Sequence, residues 1–292
     1  TNTGNNTETL NFAFSDVVAS NTVTVTDIAG NLTALKTLTA TSDSKVVLGG
    51  VNDLTKLTSV DATGVKAGFT AVFGNLADTA AATIKLGGSG VNNVTVGKAD
   101  DGAAAAVKLL TVDGSAGTGN QSITIAANTD TTTNPAAVIS GTTAVAKASV
   151  SVIGGSGNDS VTVTSAANTV NLISGGAGAD TITLGASAGI DVIRLAAGDA
   201  TGSARDTVNG FVTGTDKFDL SAFGFDAALH GVTAAGAALN GSANEFGGNA
   251  VYVDTASNTL YVDVNGDNKF DAADLVVNVT GVAVVAGDIL FV

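Results

Sequence analysis

One nine-residue pattern, met twice, constrains this chain more than anything else in it. Gly154-Gly155-Ser156-Gly157-Asn158-Asp159-Ser160-Val161-Thr162 and Gly175-Gly176-Ala177-Gly178-Ala179-Asp180-Thr181-Ile182-Thr183 both satisfy G-G-x-G-x-D-x-U-x, where U is apolar. The glycines permit a tight turn with inward-facing carbonyls. The acid at position six adds a carboxylate, and the apolar residue at position eight starts a short strand. Calcium, a hard cation that takes roughly six to eight oxygens, suits such a turn. The candidate ligands are the carboxylates of Asp159 and Asp180 with the turn atoms of Gly154, Ser156, Gly157, Gly175, Ala177 and Gly178. Carboxylates stacked one coil apart repel without a cation between them. The alternative is a pair of glycine turns with solvated carboxylates. Asp191, in Ala188-Gly189-Ile190-Asp191-Val192-Ile193, keeps positions four to eight without the leading glycines and is a further candidate.

A strand of pattern U-x-U recurs on either side of these turns, at Val23–Val25, Val46–Leu48, Ile84–Leu86, Val94–Val96, Ile123–Ile125, Val161–Val163, Val170–Leu172 and Ile182–Leu184. Alternation at period two gives each strand one buried face. Repetition on this scale predicts a solenoid, in which each coil buries its apolar side against the next. A second repeat, L-T-x-L-x-x-U-x-A-T, sets Asn31–Thr41 against Asp53–Thr63, offset by 22 residues, with a weaker copy at Lys108–Asp113. It is similar to a leucine-rich-repeat coil; the rival explanation is coincidence within Thr/Ala/Leu-rich low complexity. Degenerate turns carry Asn92 and Gln121 where the carboxylate should be, and read as structural. Asn168, nine residues after Asp159, reads as the opposite turn of the same coil, so Asp159 and Asp180, 21 apart, fall on one side of adjacent coils.

The core must be built from Val, Ile, Leu and Ala, because the chain has no Trp, Met or Cys and only 11 Phe and 2 Tyr. Absent cysteine excludes disulfides, thiolate metal sites and a cysteine nucleophile. A net charge of −14 opposes binding to nucleic acid or to a bare anionic membrane and favours divalent cations. No run of 18 apolar residues suggests a membrane span, and a start at Thr1 without a leader suggests a fragment.

Seven of the eleven Phe residues lie between Phe211 and Phe291, together with Tyr252 and Tyr261, which implies a packed aromatic region closing the solenoid. Ala250–Asp254 and Thr259–Asp263 read as a hairpin. The following stretch places Asp263, Asn265, Asp267, Lys269, Asp271 and Asp274 at positions 1, 3, 5, 7, 9 and 12 of a twelve-residue loop, the EF-hand spacing in a dockerin-like form. Its last ligand is Asp rather than Glu, and Leu275–Val279 favours strand over helix; a plain acidic turn is the rival reading. Nothing catalytic stands out. The single histidine, His230, has no cysteine or G-x-S-x-G elbow to work with, no H-E-x-x-H occurs, and Asp100-Asp101 sit in a Gly/Ala-rich loop that solvation explains.

The nonapeptides resemble those of the RTX proteins, calcium-binding repeat proteins exported by Gram-negative type I secretion systems, over roughly residues 154–292. Asp206–Ser221 also fits the D-x-x-x-x-F-x-x-G-x-D-K-x-D-L-S flank that follows RTX repeats, and Gly287–Val292 is similar to an uncleaved C-terminal secretion signal, a last core strand being its other reading. The resemblance implies an all-β fold: a right-handed parallel β-solenoid or β-roll with leucine-rich-like coils and a C-terminal aromatic β cap. The expected organisation is 1–150 for leucine-rich-like and degenerate coils, 151–204 for the RTX roll, and 205–292 for the cap with the secretion signal. The acidic, Cys-free, Thr/Ala/Gly/Val-rich composition further resembles the surface-layer proteins of Gram-negative bacteria, whose lattices assemble through calcium. The expectation is therefore a structural, non-enzymatic S-layer protein at the cell surface. Its cofactor would be calcium, and its partners further copies of itself, the type I machinery and a surface polysaccharide reached through upstream sequence. The alternatives are a segment of a large RTX adhesin or the export module of an RTX enzyme.

Overall fold

Short alternating segments become strands wherever Val, Ile or Leu recurs at every second position. In Gln121–Ile125 the inward Ile123 and Ile125 are fully buried while Ser122 and Thr124 between them are half-buried. In the computed structural model, which describes residues 6–15, 21–26, 32–49, 54, 56–76, 82–98, 110–125, 150–164, 170–185, 189–201, 204–225, 231–236 and 238–291, such strands stack into two long sheets. The chain alternates between them, one strand in each per coil. A ten-stranded sheet runs in parallel register from Thr9–Phe14 through Thr37–Ser42, Ser59–Val65, Ala82–Gly88, Leu110–Gly117, Val150–Gly155, Val170–Gly176, Ile190–Arg194 and Lys217–Asp219 to Ile289–Leu290. The opposite sheet runs parallel from Thr22–Thr26 through Lys45–Gly49, Phe69–Asn75, Asn92–Lys98, Gln121–Ile125, Ser160–Val163 and Thr181–Leu184 to Asp206–Asn209. All eight U-x-U segments lie in these strands. The parallel β-solenoid expected from the repeats is therefore the fold.

The leucine repeat sets the upstream register. Thr37 pairs with Ser59 and Leu38 with Val60, the 22-residue offset of the sequence repeat. Each copy enters its strand through the same turn, Leu35 N–H donating to Leu32 O and Leu57 N–H to Leu54 O, both at 2.9 Å. Leu35, Leu38, Leu54, Leu57 and Val60 are all 0–1% exposed. Burial of each stabilises the stack by roughly 1.5–3 kcal/mol. In the third copy Leu110 and Val112 are buried. Lys108 and Leu109 lie outside the described residues.

The parallel ladder ends by changing direction. Leu275–Val279 pairs parallel with Asp206–Asn209 on one side and antiparallel with Thr259–Val262 on the other. The expected hairpin follows, Val251 facing Val262 and Asp254 facing Thr259. Its turn includes Asn258 in the left-handed region at φ 55°, a conformation asparagine tolerates. The aromatic residues form two groups rather than one. Phe211 and Phe218 stack at 4.9 Å within the solenoid core, and Phe225 and Phe291 join the same core. Phe246, Tyr252, Tyr261 and Val276 form a separate cluster with Phe270 against it. The split follows from burial of both faces of Val251–Asp254 and Thr259–Val262: valine and leucine face the solenoid, tyrosine faces away. Among the described residues no helix is long and apolar enough to cross a membrane.

Candidate metal centre

The two nonapeptide turns leave the first sheet at Val150–Gly155 and Val170–Gly176 and enter the second at Ser160–Val163 and Thr181–Leu184. Parallel pairing of Ser160 with Thr181, and of Thr181 with Thr207, stacks the residues just before these strands. Asp159, Asp180 and Asp206 thus form a column down one edge. Each residue's backbone N–H donates to the carboxylate of the next coil: Asp159 N to Asp180 Oδ1 at 2.7 Å, and Asp180 N to Asp206 Oδ1 at 2.9 Å. Gln121, one coil earlier, donates its N–H to Asp159 Oδ1 at 2.6 Å. The turns stack as well, through Ser156 N to Gly117 O (3.2 Å) and Ala177 N to Gly155 O (2.9 Å). Gly176 and Gly178, at φ 89° and 127°, occupy conformations closed to side chains.

Asp159 and Asp180 each have one oxygen engaged and one left without a partner. Asp159 Oδ2 and Asp180 Oδ2 are buried and have no hydrogen-bond partner, although the two residues are only 3% and 1% exposed. A buried charged oxygen without a partner is costly. The glycines explain what lies around it. A Cβ on Gly154 would run into both Asp159 Oδ2 and the Gly175 carbonyl oxygen, and one on Gly175 would run into Asp180 Oδ2. A Cβ on Gly155 would lie 2.8 Å from the carbonyl oxygens of Gly114 and Gly117 and 3.6 Å from Asp159 Oδ2. Carbonyl oxygens thus gather near an Asp159 Oδ2 that no donor reaches, an arrangement that fits a hard cation. Burial pushes Asp159 up to about 7, against the opposing hydrogen bond from Gln121 and with the nearby charge of Asp180 adding to the rise. Burial likewise takes Asp180 to about 6, with Asp199 contributing. Gly157, Ala177 and Ser156 lie in the same stacked turns, the Gly157 carbonyl packed against Gly178. Among the described residues no three His, Cys, Asp or Glu side chains gather into a metal-sized group, so main-chain carbonyls must make up any coordination shell.

Two members of this edge escaped the sequence pattern. Asp206 continues the column, and burial, reinforced by Asp180, Asp199 and Asp159, raises it to about 8. Asp199 is raised by burial to about 6, and its Oδ2 accepts the Ala196 N–H at 2.8 Å. Asp206-Thr207-Val208-Asn209 retains positions six to nine of the repeat, which is the signal that could have found it; the glycines that mark the other turns are missing.

Asp191 belongs elsewhere. It is the second residue of the first-sheet strand Ile190–Arg194 and therefore sits on the opposite edge, where Asn171 Nδ2 donates to its Oδ1 (2.7 Å) and its N–H donates to Asp216 Oδ1 (3.0 Å). Asp216 Oδ2 accepts Val212 N–H at 2.8 Å. Asn168, Asp100, Asp101 and His230 lie outside the described residues.

The twelve-residue loop has a different economy. Asp263 accepts N–H bonds from Gly266 (2.7 Å) and Asn268 (2.8 Å), one on each oxygen. Asp274, fully buried and raised by that burial to about 6, accepts from Val264 (3.0 Å) and Asp271 (2.9 Å). Asn265 Oδ1 accepts Asp267 N–H, Asp267 Oδ1 accepts Lys269 N–H, and Asp271 Oδ1 accepts Ala273 N–H. The loop then continues into the strand Leu275–Val279.

A family model described as peptidase M10 serralysin C terminal matches residues 111–291. That domain of the family holds RTX-type calcium-binding repeats and is the non-catalytic repeat region of serralysin-type proteases. No curated protein matches the chain.

Proposed function

The chain belongs to the serralysin C-terminal family, and from that membership we infer that it is a secreted structural protein whose solenoid is clamped by calcium between successive turns of one edge. The observation that carries this reading is the pair of buried, partnerless oxygens, Asp159 Oδ2 and Asp180 Oδ2, each beside a glycine turn. Bound calcium would supply the positive charge that lets these carboxylates and the neighbouring carbonyls lie together. Asp159, Asp180 and the carbonyls of Gly114, Gly117 and Gly175 would hold it, with Asp199 and Asp206 extending the acidic column. The chain's own part is to fix the oxygens: the N–H donated from one coil to the next orients each Oδ1 and so aims each Oδ2.

At the level of the organism the proposal is an S-layer subunit of a Gram-negative bacterium, delivered by type I secretion and assembling with its own copies through calcium. The solenoid supports this reading because its paired strands extend upstream of the matched region to Thr9–Phe14, two of them carrying the leucine repeat. The family match itself favours a second reading, the export module of an RTX enzyme, with an RTX adhesin segment as its relative. Light scattering and negative-stain microscopy of full-length protein under stepwise calcium separate them. Two-dimensional sheets at millimolar calcium are expected for an S-layer subunit; a calcium-loaded monomer throughout would overturn that role.

A further inference from the structure

The acidic column continues upstream as an amide column. Gln121 pairs with Asn92 across the second sheet, and Gln121 stands next to Asp159 in the same register. Asn92 and Gln121 are 0% and 1% exposed, as deeply buried as the aspartates. Every side-chain oxygen and nitrogen of the two amides has a partner, whereas each aspartate leaves one oxygen without. Asn92 Oδ1 accepts Phe69 N–H (2.7 Å), just as Asp180 Oδ1 accepts Asp159 N–H. Asn92 Nδ2 donates to Gly87 O (3.0 Å) and to Gln121 Oε1 (2.8 Å), so one amide nitrogen ties a turn carbonyl to the next coil. Gln121 Nε2 donates to Gly119 O at 2.7 Å.

A glycine locates the Gln121 nitrogen. A Cβ on Gly117 would run into Gln121 Nε2, as one on Gly154 would run into Asp159 Oδ2 and one on Gly175 into Asp180 Oδ2. Beside the stacked glycine turns, a donor thus stands in one coil, four residues after its glycine, and a partnerless acceptor in each of the next two, five residues after theirs. An amide N–H needs only the acceptors that already surround it, whereas a carboxylate oxygen among carbonyls needs a positive charge.

We propose that the amides of Asn92 and Gln121 replace the cation in the upstream coils, so that the residue at position six decides, coil by coil, whether the solenoid needs calcium. The proposal rests on the calcium reading of the Asp159 and Asp180 turns. It divides one continuous stack into a part that folds without the ion and serves as a template, and a part that docks onto it when calcium is supplied. Parallel coils each rest on a neighbour, so a preformed upstream stack supplies the surface that the next coil requires.

Hydrogen exchange of the full chain, with calcium and with chelator at neutral pH, tests this. In chelator, Asn92–Lys98 and Gln121–Ile125 are expected to keep their protection while Ser160–Val163 and Thr181–Leu184 lose about tenfold or more. Loss in all four strands overturns the amide inference and leaves the calcium reading standing. Retention in all four overturns the calcium reading and the division with it. The variants Asn92→Asp and Gln121→Glu, which remove the donor and add a charge, are expected to make Asn92–Lys98 and Gln121–Ile125 calcium-dependent. Asn92→Ala, which removes the donor and the acceptor of Phe69 N–H without adding a charge, should weaken protection by about tenfold in both conditions. Calcium-independent protection retained in both charge variants would overturn the proposal.

Discussion

Two acidic regions of this molecule look alike in sequence and differ in what they do with their oxygens. In the turns at 154–159 and 175–180, each aspartate lends one oxygen to the neighbouring coil and buries the other without a partner. In the loop at 263–274, Asp263 and Asp274 place both oxygens on main-chain N–H groups of their own loop. The first arrangement is incomplete as a protein alone. The second is closed by the protein itself. What separates them is geometry: a carboxylate that folds back onto its own turn reaches several N–H groups, whereas one stacked on identical coils meets mainly carbonyls.

The largest expected consequence is from removing calcium at neutral pH. Binding at a hundredfold excess over the dissociation constant stabilises by about 2.7 kcal/mol per site. Two sites correspond to a melting shift on the order of 10 °C for a chain of this size. Calorimetry with calcium and with chelator measures it, and identical melting curves would remove the distinction between the two regions.

Acidity should partly substitute for the ion. In the chelated protein burial raises Asp180 to about 6, Asp159 to about 7 and Asp206 to about 8, all above their unfolded value near 4. The folded state then holds more protons than the unfolded one, so this contribution is fully present below about pH 4 and is lost as pH rises through about 6 to about 8. The effect is smaller than that of calcium because a proton neutralises charge without bridging carbonyls. With calcium bound the slope reverses, since protons compete for the same oxygens. Melting temperatures across pH 5–8 in chelator and in calcium should therefore converge at the acid end; parallel curves would count against an ion at these aspartates.

Single substitutions sharpen the comparison. Asp180→Ala should cost more in calcium than in chelator, by about 2.7 kcal/mol, because stranding the Asp159 N–H is common to both buffers while the bound ion is lost only in calcium. Asp274→Ala should cost about 2 kcal/mol in both, because it strands the N–H groups of Val264 and Asp271 whether or not calcium is present. Denaturant titration of the two variants in both buffers gives four values, and a calcium-dependent loss at Asp274 would assign an ion to that loop as well.

Much of this was legible in the residues. The 22-residue leucine offset became the register Leu38 to Val60, the eight alternating triplets became strands, and the hairpin at Val251–Val262 formed where its turn residues placed it. These features depend on neighbours close in sequence: period two creates one apolar face, glycine permits one kind of turn, and copying a coil copies its pairing. The site was half legible. Asp159 and Asp180 were marked by their glycines, but Asp206 and Asp199 were not, and Asp191 carried a similar sequence to the opposite edge.

The sequence by itself determined the repeating unit, and with it the solenoid, because both the strand and the turn are set by residues within a few positions. Only the tertiary structure decided which oxygens are left without partners. Whether Asp159 Oδ2 meets a donor depends on carbonyls at Gly114, Gly117 and Gly175, on coils before and after its own, and therefore on how the coils stack. The same stacking made Asn92 and Gln121, which read as lapses in the pattern, into the donors that complete the column upstream.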